Sequence, residues 1–243
     1  MVKDFEKVEN EVKSTDTRRR YNPFLYPFSI HGIINMLIIV LLLVVWRFVS
    51  GFLSQFTMVV FLFRSVYMIG VACVGYFFMY LSECMLDSGD GGTVAPDTIP
   101  GSSGLEPLIE ELTWGIIPLI LCFMPAILVN AFFEEYNLLA LIVLLVGLCL
   151  FPIFCIRSMM MRSFVAFNPI GAAWNIIRYL PDYLLLLFAM AVIFAPLIGF
   201  ISFFEPKGFA YPLVLAWFIY GCVVFWHLMG RFYFKHRALL DWE

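Results

Sequence analysis

The chain has 243 residues, of which 63% are hydrophobic and 14% charged, with a formal net charge of −3. A soluble domain of this size cannot bury that much apolar surface, and no basic surface suited to nucleic acid is present. The length allows one compact membrane domain and excludes a sizeable soluble one.

Residues 1–20 mix Lys3, Lys7, Lys13 and Arg18–Arg20 with Asp4, Glu6, Glu9, Glu11 and Asp16. Such a segment cannot bury a core and reads as a flexible charged tail. It carries no apolar leader segment, so the first span is expected to serve as an uncleaved insertion signal. The membrane domain is expected over 21–236, with a C-terminal tail at 237–243. Residues 21–31, YNPFLYPFSIH, combine aromatics with Pro23 and Pro27 and suit the headgroup zone, where amphipathic rings anchor a chain.

Six apolar stretches follow. A hydrocarbon core about 30 Å thick takes roughly 20 residues of helix to cross. Spans are predicted over about 32–49, 57–81, 114–133, 138–158, 183–204 and 211–231. The longest break, 83–107, is rich in Gly, Pro and Ser, lacks Lys and Arg, and reads as an exposed, mobile loop. Its DSGDGG run lacks the spacing of a calcium loop and reads as a turn. Residues 106–113 start a helix at the surface. Between spans four and five, Ile170, Ala173, Trp174 and Ile177 share a helical face away from Asn175 and Arg178, which predicts a surface helix ended by Pro181. The fold class is therefore all-α: a polytopic membrane bundle of about six transmembrane helices with one or two interfacial helices.

Basic residues set the orientation. Lys3, Lys7, Lys13, Arg18–Arg20, Arg157, Arg162, Arg178, Arg231, Lys235 and Arg237 flank one side, and Lys207 in a break and Arg47 at a span end lie on the other. Both termini and the 83–107 loop are expected in the cytoplasm, and the membrane is expected to be a bacterial inner membrane.

Few residues offer chemistry. Arg64, about two turns into the second span, either contacts an anion, a lipid headgroup or a neighbouring subunit, or snorkels to the interface. Asn130 is placed to hydrogen-bond between helices. Arg178 is a candidate lipid or partner contact, and His227 is expected as a satisfied histidine at the interface. Pro118, Pro125, Pro152, Pro196 and Pro212 lie within spans, where proline kinks a helix. The adjacent Glu134 and Glu135 lack the further ligands of a metal site. The six cysteines include no C-x-x-C pair and read as small packing residues. No nucleophile–base, paired-acid or zinc pattern can be assembled from the sequence, so no enzyme, cofactor or metal is expected.

The run from GYFFMYLSECMLDSGDGG through VAPDTIPG to LIEELTWGIIPLILCFMPAIL, with the closing GRFYFKHRALLDW, resembles a loosely defined group of bacterial and archaeal multi-span proteins of unknown function, distantly similar to the Yip1-type membrane proteins. The resemblance covers about half the chain. It implies a helical bundle without known enzymatic activity and carries over no catalytic residue. The function expected is that of a non-enzymatic integral membrane subunit or accessory protein of a larger complex, with membrane lipids and other integral membrane proteins as partners. The alternative is a small transporter or lipid-handling protein, with Arg64 and the proline-broken spans forming its path.

Overall fold

The computed structural model describes residues 22–53, 60–97, 106–132, 137–203 and 210–237; the side chains of residues 53, 60–66 and 107 lie outside that description. Seven α-helices account for nearly all of it: α1 (Ile30–Leu53), α2 (Val60–Gly89), α3 (Glu106–Phe132), α4 (Asn137–Met161), α5 (Pro169–Arg178), α6 (Leu180–Phe203) and α7 (Ala210–His236). Short 3₁₀ turns lie at Pro23–Phe28 and Phe164–Phe167. All but α5 are long and apolar enough to cross a membrane, and the protein is a multi-pass integral membrane protein. Helix is the form such segments must take, because hydrocarbon leaves no other partner for a backbone N–H or C=O.

The helices are not equivalent. In α2 and α7, 61% and 56% of the spanning window is buried, against 17% in α1, 22% in α3 and 17% in α6. These two helices form the centre. Tyr80, Leu81 and Met85 of α2 and Val223, Val224, Phe225 and Met229 of α7 are almost wholly enclosed. Around this pair, α1 packs on both, α3 on α2, α6 on α7, and α4 mainly on α3.

Two glycines let backbones approach closely. A Cβ on Gly230 of α7 would lie 2.3 Å from the Met85 carbonyl oxygen of α2. One on Gly147 of α4 would lie 2.0 Å from the Cys122 carbonyl oxygen of α3. Small residues at such crossings let dispersion contacts between helices replace the hydrophobic drive that lipid does not provide.

The sequence places a loop from residue 83, but α2 continues to Gly89, two turns further. Cys84, Met85 and Ser88 are fully buried there against α7 and the Pro23–Phe28 turn, so the polar letters of this stretch mark the inner face of a helix. Residues 90–97 then fold back onto the bundle. Ala95 is 3% exposed, the Asn35 side-chain amide donates to the Pro96 carbonyl at 3.3 Å, and His31 Nδ1 lies 3.2 Å from Asp97. The part of this break from 98 to 105 lies outside the described residues. The expected helix start at 106 is found, since α3 begins at Glu106.

The surface helix is also found, as α5. Its sidedness follows the sequence pattern except at Arg178: Ala172 and Asn175 are buried, Ile170, Ala173, Trp174 and Ile177 are exposed, and Arg178, expected away from that face, is exposed one turn beyond Trp174. Asn168 caps it, its side-chain oxygen accepting from the Ile170 N–H at 3.1 Å.

Candidate functional site: a polar clasp at one end of the bundle

Most ion pairs of the described residues gather at the bundle end that holds Asn22, the end of α2, the start of α3, the end of α4, α5 and the end of α7. Its centre is a cluster of Tyr26, Cys84, Asp87, Ser88 and His227. Pro23 and Pro27 shape the 3₁₀ turn that carries Tyr26, and Asn22 caps it through a 3.1 Å bond from the Phe24 N–H. The turn lays the Tyr26 ring flat on the His227 imidazole, with centroids 3.8 Å apart and planes 21° from parallel. The Tyr26 hydroxyl reaches both the Cys84 carbonyl (3.4 Å) and Asp87 Oδ2 (3.2 Å). Burial pushes this hydroxyl far above the ordinary phenol range, so it stays protonated and donates.

Beneath it, the Ser88 hydroxyl donates to the Cys84 carbonyl at 2.5 Å and is hydrogen-bonded to His227 Nδ1. A hydroxyl has one proton. With that proton on the Cys84 carbonyl, the His227 bond requires Nδ1–H as donor. Ser88 and His227 are both 0% exposed. The cluster ties the N-terminal turn, α2 and α7 together.

Three smaller links complete the end. Arg162 ends α4 in a left-handed conformation (φ 44°), its N–H bonding the Ser158 carbonyl at 3.0 Å. Its guanidinium spans Glu110 (3.1 Å) and Glu111 at the start of α3. Lys235 Nζ donates to both oxygens of Asp182, at 2.9 and 2.8 Å, which joins α7 to α6. His236 Nε2 lies 2.9 Å from the same carboxylate. Deeper in, the Tyr76 hydroxyl donates to Asn35 Oδ1 at 3.0 Å, coupling α2 to α1 and, through Pro96, to the fold-back segment.

The residues singled out by the sequence do not converge on one site. His227 belongs to the clasp and is enclosed by protein, hydrogen-bonded to Ser88 and covered by the turn at Pro23–Phe28. Arg178 is exposed at the end of α5, its guanidinium carbon 5.6 Å from the Tyr179 ring centroid. Asn130 is exposed near the end of α3. Arg64 lies on the backbone of α2, and its side chain is outside the described residues. Sequence reasoning missed Tyr26, Ser88 and Asn35. The one available signal was the pair of prolines around Tyr26, which marks a built turn.

A separate feature is an apolar groove of about 600 Å³ between α1 and α6, floored by α7. Phe28, Met36, Val40, Val192, Trp217 and Tyr220 line it. Among the described residues no group of three or more His, Cys, Asp or Glu is placed to hold a metal ion. No protein-family model matches the chain, and neither curated proteins nor solved structures include a match.

Proposed function

We propose that this protein is a non-enzymatic integral membrane subunit or accessory protein that works inside a larger membrane complex. One observation carries this reading: a closed centre of α2 and α7 is surrounded by three spans, α1, α3 and α6, that bury about a fifth or less of their length within the chain. Some polar groups inside the described bundle bond to one another, as in the Tyr76–Asn35–Pro96 chain and the Ser88–His227 pair. The outward faces are rows of large apolar side chains, for example Leu37, Leu41, Val45 and Phe48 on α1. Neighbouring helices pack on such faces. The distribution of Lys and Arg supports both termini facing the cytoplasm.

The test is photo-crosslinking in native membranes from positions 41, 128 and 188, on α1, α3 and α6. Crosslinks to other membrane polypeptides that persist through mild detergent support the proposal. Lipid adducts alone at all three positions overturn it. A lipid-handling role is the second reading, favoured by the groove between α1 and α6, which falls within the 300–1,000 Å³ range of ligand clefts. For orientation, a cysteine at Ser102 should be shielded from an impermeant thiol reagent in intact cells and one at Gly208 labelled; the opposite pattern reverses the topology.

A further inference from the structure

Helix α5 exposes the residues a soluble helix would bury. Ile170, Trp174 and Ile177 are 80%, 66% and 67% exposed, while the side turned to the bundle carries the small Ala172 and the polar Asn175. The preceding 3₁₀ turn adds Phe164 and Val165, at 74% and 64%. A contiguous apolar patch of this kind needs a cover. Its position narrows what that cover is. The helix joins the end of α4 to the start of α6, level with the ion pairs Arg162–Glu110 and Lys235–Asp182, so it sits where charged groups begin. The following helix α6 also exposes Leu184, Leu185 and Phe188, part of the face that a spanning helix turns to its surroundings.

Charge points the same way. Residues 163–181 contain Arg178 and no acid. Arg178 follows Trp174 by one turn and lies at the polar end of the patch. An amphipathic segment with large apolar groups on one side and a cation at its edge matches the boundary between acyl chains and anionic headgroups.

We propose that α5 is a lipid-binding interfacial helix, with Ile170, Trp174 and Ile177 among the acyl chains and Arg178 on the phosphate of an anionic phospholipid. This holds whether or not the protein is a subunit of a complex.

The experiment uses the full chain reconstituted in vesicles of phosphatidylcholine and phosphatidylglycerol. Cys149, the one exposed cysteine, is changed to Ala, and a spin label is placed at Ile170→Cys. Contact with oxygen well above contact with an aqueous nickel chelate is the expected result. A label open to the chelate, or shielded from both reagents by protein, overturns the proposal. In the same vesicles Arg178→Gln should lower the preference for phosphatidylglycerol over phosphatidylcholine about fivefold, the factor of one basic group at an anionic surface. Arg178→Lys should retain it, and both variants should melt like the parent. An unchanged preference in Arg178→Gln overturns the headgroup contact.

Discussion

Replacing Gly230 by Ala tests the central seam directly. The new methyl would meet the Met85 carbonyl oxygen at 2.3 Å and Ser88 Cβ at 2.6 Å, whereas real Cβ atoms keep beyond 3.0 Å. These obstacles are backbone and a buried side chain, so α2 and α7 must part by at least about 0.7 Å, a gap that forfeits a quarter to a half of each dispersion contact across it. Overpacking of this kind costs about 1–3 kcal/mol. Alanine also favours helix over glycine by about 1 kcal/mol, which obscures the raw effect. Gly199→Ala removes that ambiguity, because Gly199 lies inside α6 with nothing within 4 Å of its added Cβ. The contrast between the two variants isolates the clash. On the scale of about 2–4 °C per kcal/mol for chains of 150–250 residues, Gly230→Ala should melt about 2–12 °C below Gly199→Ala. A thiol-reactive dye in a Cys149→Ala background reads the transition, since the other five cysteines are buried until unfolding. Equal melting temperatures would refute the close approach of α2 and α7.

The remaining predictions concern the polar end. Arg162→Ala should destabilise by about 1–3 kcal/mol, because it leaves the 8%-exposed Glu111 without its cation, and Glu111→Gln should recover part of that loss in a double-mutant cycle. Tyr26→Phe, which keeps the stack on His227 but removes the hydroxyl, should cost about 0.5–1.5 kcal/mol, whereas Tyr26→Ala should cost about 3–5 kcal/mol and open His227 to diethyl pyrocarbonate; equal losses would show that the ring contributes nothing. In the Cys149→Ala background, a cysteine at the exposed Val94 should react with a thiol reagent much faster than one at the buried Ala95, and Asn35→Leu should narrow the difference by releasing Pro96. Equal labelling at 94 and 95 before that change would restore the picture of a mobile loop.

The six spans are legible because each is a run whose transfer from water to hydrocarbon decides its fate alone. Their ends are less so. Hydropathy stops α2 near Leu81, where polar letters begin, yet the helix runs to Gly89 because Ser88 and Cys84 find partners on α7 and the N-terminal turn. The α5 helix is legible from its own periodicity, since its sidedness depends on no other segment. The clasp is not. Tyr26, Ser88 and His227 lie in three distant parts of the chain, and each alone has an ordinary reading: a headgroup aromatic, a turn serine, an interface histidine. Only packing shows that they meet. Fold-back of 90–97 escaped for the same reason, because Gly-rich composition reports freedom of the backbone and says nothing of Asn35 waiting on α1.

The stack of Tyr26 on His227 also sets a clock for biogenesis. About 200 residues separate the two rings, and a ribosome adding roughly 5–20 residues per second takes about 10–40 s to get from one to the other. Throughout that interval α1 and α2 are made, but the turn before α1 has no imidazole to lie on and Ser88 faces an unfilled seam. The first half of the molecule therefore enters the membrane as an open arrangement, and its end closes only when the last helix arrives. Any factor that guards the nascent chain has to hold this gap until His227 is in place.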